Sequence, residues 1–310
     1  MGHHMNYAYW RKCDFQVHTP RDPNWKGQRP VGENDDLNGS PATMDDVNRE
    51  RQEWANEFVI MCSIRGLEVI AVTDHHEMVM VPFIKRAISD RKLEDPDFDL
   101  WFLPGMELTC HGGVQCLIIF DADLSDEWLS EAQSKLGIIK PAQKEKAKQG
   151  PAVTQLGHHY PDVAAVLDKV DELKGRYIVV PNVSDGGQHT VLKNGAHADF
   201  ARMPYVGSYL DNGQNINNLG GKAKRRLSGK ENDRGSRYVY PLPTSDSRTA
   251  DFKNLGKNDC WMKMASPTAE AVRQAYLGHR SRISLHPPVL TSVSITAVRV
   301  SGSDIFQKLI

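Results

Sequence analysis

Three short, almost wholly apolar runs, at residues 67–72, 114–120 and 177–180, limit the fold of this chain more than any other feature. They lack the polar alternation of a half-exposed strand, so both faces of each must be covered by protein. Helical patterns stand between them, and alternation of the two is the mark of an α/β chain. Residues 15–17, 100–103 and 238–241 read as further strands. Helices are expected at 44–64, 82–88, 126–135, 162–173 and 268–277. Thr43 suits the cap of the first, with Asp45 and Asp46 against its positive end. Pro267 suits the start of the last.

With 310 residues, 40% hydrophobic and 25% charged, the chain has a globular composition that excludes collagen, coiled coil or disorder throughout. Length alone suggests two domains of roughly 150 residues, but one α/β barrel of about 250 residues serves equally well. A net charge of −1 argues for no class of partner, so only local patches can. No run approaches the roughly 18 apolar residues of a membrane span, and no signal-peptide core precedes Trp10. Five scattered cysteines (Cys13, Cys62, Cys110, Cys116, Cys260) read as reduced thiols, hence a cytoplasmic protein with no membrane partner.

Met1-Gly2-His3-His4-Met5 reads as a tag remnant, leaving 6–288 for the barrel and 289–310 as a C-terminal extension. That extension returns to strand-like alternation at Val293 to Val298, as at the start of a further, truncated domain. Two stretches read as irregular. Residues 19–41, rich in Pro, Gly and Asn, suit a rim loop, and residues 211–237 carry the basic run Lys222-Ala223-Lys224-Arg225-Arg226. That run is either a solvated helix face or a patch for nucleic acid or phosphate.

Chemistry gathers at the strand ends. Gln16 and His18 lie at period-two spacing in Asp14-Phe15-Gln16-Val17-His18-Thr19. Thr73-Asp74-His75-His76 closes a second strand, Gly105-Met106-Glu107 a third, and Ser245-Asp246-Ser247-Arg248 a late one. Polar residues gathered where parallel strands end are how barrels build active sites. Imidazole with carboxylate suits zinc, manganese or iron. Singly, each Asp-His pair also fits an ordinary turn.

Taken in order, these segments resemble the PHP (polymerase and histidinol phosphatase) family of metal-dependent phosphoesterases, whose pattern runs Asp-x-His-x-His-Thr, Thr-Asp-His, Gly-x-Glu, two isolated histidines and Ser-Asp-x-His. The resemblance spans about residues 8–285. Trp261-Met262-Lys263, Ser266-Pro267-Thr268, Arg273-Gln274-Ala275 and Arg282-Ile283 look like the PHP module fused to SMC-like ATPases, the TrlF type. The implied fold is α/β, a distorted (β/α)7 barrel, and the implied partner is an SMC-like ATPase in an antiphage-type system.

The departures from that pattern carry their own implication. Gln16, Gln115, Asn182 and Arg248 stand where the family has histidine, while His18, Asp74, His75, Glu107 and Asp246 are kept as its catalytic set. By the resemblance, one metal would keep His18, Glu107 and Asp246, a second only the bridging Glu107, and a third mainly His75 beside Asp74. An amide is a weak ligand for a zinc-like ion, so at most one divalent ion (Zn, Mn or Fe) is expected rather than three. Gln16, Gln115, Asn182 and Arg248 then become candidate phosphate binders. Arg248 cannot ligate a metal; it either grips a phosphate oxygen or pairs with Asp74 or Asp246. His111, His158, His159, His189 and His197, and the pair Cys110/Cys116, are the other groups able to rebuild a site.

Three functions follow as expectations: a phosphate- or nucleic-acid-binding module with a degenerate metal site, a reduced-site phosphoesterase or nuclease, and a structural partner of an ATPase. The chain has no Walker-type loop, Cys-x-x-Cys pair or Gly-x-Ser-x-Gly elbow of its own.

Overall fold

The computed structural model describes residues 7–29, 44–138, 155–211, 213–231 and 237–289. Nine strands are described: β1 (Tyr9–Val17), β2 (Val69–Val72), β3 (Trp101–Thr109), β4 (Gln115–Phe120), β5 (Tyr177–Pro181), β6 (Gly207–Leu210), β7 (Tyr240–Pro243), β8 (Cys260–Met264) and β9 (Ile283–Ser284). The helices are α1 (Met44–Ile64), α2 (Val81–Glu94), α3 (Asp126–Lys135), α4 (Asp162–Leu167), α5 (His197–Ala201), α6 (Gly221–Leu227), α7 (Ala269–Leu277) and α8 (His279–Arg282).

A curled seven-stranded sheet runs β5-β4-β3-β2-β1-β8-β9, and β6 pairs with β7 in a second, two-stranded sheet. β1, β2 and β3 are parallel, whereas β4 turns back against β3 and β5 against β4. Isolated bridges Asn182↔Tyr209 and Val17↔Ser247 tie the small sheet to the ends of β5 and β1. The arrangement is mixed α/β and consistent with a distorted barrel.

The apolar runs behave as their lack of alternation requires. Every residue of β2, β4 and β5 is buried. Successive side chains nevertheless enter different cores, because strand side chains alternate. Val69 and Ala71 join Phe15, Leu117, Val180 and Val272 of α7 in one, while Ile70 and Val72 join Phe58 of α1, Ile84 of α2 and Leu129 of α3 in the other.

Several boundaries differ from the sequence expectation. The strand expected at 238–241 is β7, two residues later. The helix expected at 162–173 ends at Leu167 and continues as turns, while α2 runs on to Glu94. The stretch 211–237 is not irregular throughout: it holds α6, whose Arg226 is buried, donating to the Leu192 carbonyl and pairing with Glu231 at 3.0 Å. The basic run therefore does not present all its cations to solvent. β6, β8, β9, α5 and α8 were not expected. Thr43, the segment 30–41 of the rim loop, the leader 1–5 and residues 290–310 of the extension lie outside the described residues. No described helix is long and apolar enough to cross a membrane.

Two glycines let the strands close up. A Cβ on Gly105 of β3 would stand 2.6 Å from the Ile118 carbonyl oxygen of β4, and one on Gly207 of β6 would stand 2.5 Å from the Tyr276 ring.

Candidate functional site

The ends of β1, β2, β3 and β7 deliver a compact polar cluster, most of it fully buried. His18 follows β1 directly and is fixed by its N–H to the Ser247 carbonyl, at 2.8 Å. His75 and Glu107 face each other through an isolated bridge between the chain after β2 and β3. Asp246 follows β7 with φ of 46°, in the left-handed region that a non-glycine residue seldom occupies. That conformation sets its carboxylate 3.2 Å from His18 Nε2.

Glu107 is the hub. Its Oε1 accepts from Gln16 Nε2 at 3.1 Å and from the Tyr209 hydroxyl at 2.7 Å. Its Oε2 lies 3.1 Å from His75 Nε2 and 3.8 Å from His18 Nε2. Gln16 is itself held, since the Thr244 hydroxyl donates to its Oε1 at 2.6 Å. Gln115 Nε2 lies 3.3 Å from His75 Nε2.

Asp22 joins the two imidazoles from the other side. Its Oδ2 lies 2.7 Å from His75 Nδ1 and 2.9 Å from His18 Nδ1. Only the His75 contact is aligned as a hydrogen bond; His18 Nδ1 is a buried nitrogen without one. Arg248 completes the group. Its Nη2 contacts Asp246 Oδ1 and sits 3.2 Å from His18 Nε2, while Nη1 is 3.7 Å from Asp22. Arg248 Nε is buried without a partner.

These neighbours set the protonation states. Burial alone would drive the His18 imidazole down, but the charge of Asp22, with the short contacts to Asp22 and Asp246, holds it well above its ordinary value despite Arg248. His75 is likewise raised: burial opposes its charge, and Glu107 and Asp22 outweigh burial. Burial would raise Asp22, yet the two imidazoles hold it far below the carboxylate range. Burial would raise Asp246 too, and His18 and Arg248 lower it. The outcome is a cluster whose imidazolium and guanidinium charges already neutralise its carboxylates.

Other sequence candidates play different parts. Asp74 is not the partner of Arg248; its two oxygens accept from the Thr19 amide at 2.8 Å and the Thr19 hydroxyl at 2.6 Å. Asn182 Oδ1 accepts from the Ser184 amide at 2.8 Å, which is a turn contact. Asp14 lies beneath the cluster, accepting from the Ser245 and Gly256 amides, and burial still pushes its carboxyl up to about 6. Cys110 and Cys116 are free, with sulfurs 3.6 Å apart in the β3–β4 turn. The His111 and His159 rings meet at 4.6 Å, and His159 pairs with Asp199. Among the described residues, the grouping of three metal-competent side chains is His18, Asp22 and His75. The five loop histidines have not rebuilt a metal centre there.

Asp22, Tyr209 and Thr244 are the members that sequence reasoning missed. Asp22 had a usable signal: a carboxylate between Pro20 and Pro23, four residues beyond His18, in a loop leaving a strand end. Tyr209 had none, because β6 is four residues long and begins Gly-Ser.

A three-ion centre does not fit this donor set. Its would-be ligands Gln16, Gln115 and Asn182 are amides engaged with protein groups, and Arg248 is a cation. One ion fits better. His18 Nε2 lies 3.2 Å from Asp246 Oδ1 and 3.8 Å from Glu107 Oε2, three donors that a single ion would have to draw together. Asp22 would hold the His18 ring from behind, 2.9 Å from its Nδ1, as carboxylates commonly do for metal-bound imidazoles. The Arg248 guanidinium, however, lies against two of these three donors.

No family model matches this sequence, and no curated protein matches it. Among solved structures, PsfC from Pseudomonas syringae PB-5123 is 13% identical with a TM-score of 0.47, covering 85% of this chain and 88% of its own. A candidate metal-dependent phosphoesterase from Bifidobacterium adolescentis is also 13% identical, with a TM-score of 0.38 over 76% of this chain and 87% of its own. Likenesses of this size assign neither fold nor function.

Proposed function

We propose that this chain is a PHP-type (β/α)7 module with a degenerate metal site, in which a fixed guanidinium stands in for an ion and the rim binds a phosphate group rather than cleaving one. The observation that carries this reading is Arg248 Nη2, 3.2 Å from His18 Nε2 and against Asp246, two of the donors that the resemblance assigns to an ion. The motif order adds support. So does exposure: Arg248, His75 and Asp246 keep 13–15% of their side chains accessible while His18, Asp22 and Glu107 are sealed beneath, so an entering anion meets two cationic groups first. A charge-assisted hydrogen bond from such a group contributes about 1.5–3 kcal/mol.

Within this reading the module works beside an SMC-like ATPase, as a nucleic-acid- or phosphate-sensing part of an antiphage-type system in the cytoplasm. Glu107 and Asp22 fix the imidazoles, Asp246 aims Arg248, and no base is left free to activate water, since each carboxylate of the cluster is engaged by a donor.

The test is inorganic phosphate binding by calorimetry together with melting temperature, on wild type and Arg248→Ala. The reading expects at least tenfold weaker phosphate binding, with Arg248→Lys recovering only part because lysine keeps the charge without the planar fork. Unchanged affinity with a lower melting temperature would reduce Arg248 to an internal counter-ion.

A second reading is favoured by the two carboxylates beside His18 Nε2, Asp246 at 3.2 Å and Glu107 at 3.8 Å. If the Arg248 side chain swings out, one divalent ion could be held by His18, Glu107 and Asp246. It would supply a water nucleophile for phosphodiester hydrolysis, making the chain a reduced-site nuclease or phosphoesterase. Hydrolysis of bis-p-nitrophenyl phosphate that depends on added Mn2+ and is lost in His18→Ala would favour it.

A further inference from the structure

A second cavity lies at the far end of β7 from the rim. Tyr240 opens that strand and Asp246 follows its end, six residues or roughly 20 Å of extended chain away. The cavity has a volume of about 560 Å3 and is lined by Ser228, Tyr238, Leu277, His279, Arg280 and Ser281. Among the described residues, none that lines it is acidic.

Three rings meet at its wall. Tyr238 stacks on His279 with centroids 4.8 Å apart and planes 21° from parallel. Tyr240 lies 4.9 Å from the same imidazole, and the two tyrosines are 6.4 Å apart. The rings are held by backbone rather than by packing from above. Val239 N–H donates to the Leu227 carbonyl at 2.7 Å, Tyr240 N–H to Val206 at 2.9 Å, and Gly278 N–H to Gln274 at 2.9 Å. Tyr238 remains 40% exposed and Leu277 51%, unusual for large apolar groups in a contiguous cluster.

Charge complements the rings. Arg280 is exposed at the cavity. Ser228, which lines the cavity, caps α6, on which Lys222, Lys224 and Arg225 are exposed. Lys224 donates to the Asn217 carbonyl and Arg225 lies 3.8 Å from Glu231, so both are positioned rather than waving free. Ser228 thus joins the helix that carries the basic run to the cavity that the aromatic cluster lines.

We infer that this surface is a stacking site for an unpaired base of single-stranded nucleic acid, with the strand's phosphates running along Arg280 and the exposed cations of α6. Stacking and phosphate contacts do not distinguish one base from another, so binding is tolerant of sequence. One stacked base gives little affinity by itself, and the cations beyond the cavity favour a strand over a free nucleotide. The site is independent of the rim reading and survives its failure.

The test is fluorescence anisotropy with a labelled oligo(dT) of about 12 nucleotides and with the same strand annealed to its complement. The wild type should bind the single strand and prefer it to the duplex. Tyr238→Ala and His279→Ala should each weaken binding about tenfold, whereas Tyr238→Phe should stay within about twofold. Arg280→Ala should lower the slope of log affinity against log salt by about 0.7, the value for one phosphate contact on a single strand. Arg280 is exposed, so this variant keeps the test open even if a ring variant fails to fold. Equal affinity for duplex, no binding at low salt, or binding lost in Arg248→Ala but kept in Tyr238→Ala would each overturn the inference. The last result would place the strand at the rim instead.

Discussion

Arg248 Nη2 lies 3.2 Å from Nε2 of His18, a nitrogen that otherwise points at carboxylates. A permanent cation beside an imidazole is unfavourable unless anions surround both, and here Asp246 and Asp22 do. Removing either partner of such a buried arrangement costs more than the contact itself contributes, because the charge left behind keeps its desolvation penalty. This relationship sets the first expectation.

Arg248→His should convert the site toward ion binding. The substitution removes the charge that lies against the Asp246 and His18 donors and adds an imidazole at the same place. Metal analysis after dialysis against Zn2+ is expected to give close to one equivalent in the variant and clearly less in the wild type. Equal content in the two proteins would mean that Arg248 does not occupy the ion's place.

Asp22→Asn should release both histidines. Asp22 is among the causes that raise both, so histidine resonances followed by NMR should titrate lower in the variant than in the wild type. The sign for stability follows from linkage. The histidines contribute below their ordinary 6.5 and lose that contribution as pH rises through their raised folded values; Asp22 contributes above 3.8. The stability gap between wild type and Asp22→Asn is therefore widest between about pH 4 and 6.5 and narrows on the alkaline side. A gap that widens with rising pH would contradict the ion-pair assignment.

His76 works in the opposite direction. Burial, then the charge of His75, lowers its imidazole to about 4, and its Nε2 accepts from the Thr109 amide at 2.8 Å, so the fold needs it neutral. The unfolded chain binds this proton near 6.5, so stability falls as pH drops from 6.5 toward 4, by about 3 kcal/mol in full. His76→Gln keeps an acceptor without the titration. Denaturant melts should show a flatter acid limb in the variant, and an unchanged limb would assign the acid loss elsewhere.

Gly207→Ala should destabilise strongly. The added Cβ would meet the Tyr276 ring at 2.5 Å, and Tyr276 is anchored by its hydroxyl to the Ser208 carbonyl at 3.1 Å. Overpacking of this kind costs about 1–3 kcal/mol. The measurement is urea denaturation of Gly207→Ala; a loss below about 0.5 kcal/mol would mean that β6 can shift away from α7.

The limits of the sequence are physical. The continuous apolar runs announced β2, β4 and β5, since strands buried on both faces need no polar residues. α3 was legible to the residue because amphipathic spacing is local, and the structure adds Ser125 as its cap. β6 and β8 escaped because Gly-Ser-Tyr-Leu and Cys-Trp-Met-Lys-Met carry little intrinsic strand preference; pairing with β7 and β1 makes them strands. In the site, the order of His18, Asp74, His75, Glu107 and Asp246 along the chain could be read directly. Their contacts could not. Asp74 turned out to serve Thr19 and Asn182 to serve a turn, since which oxygen meets which donor depends on loop geometry within 1 Å.

By itself, the sequence determined that covered strands alternate with helices, that acids and imidazoles stand at strand ends, and that Arg248 follows Asp246 by two residues. Tertiary structure alone decided that Asp22, brought in by the loop after β1, would lie between two histidines, and that Tyr209, 102 positions from Glu107, would hydrogen-bond to it. It also brought Tyr238 and His279 into one stack. Composition and spacing act over a few residues, whereas charge compensation and ring stacking act through space, between segments whose meeting is fixed only when the sheet curls.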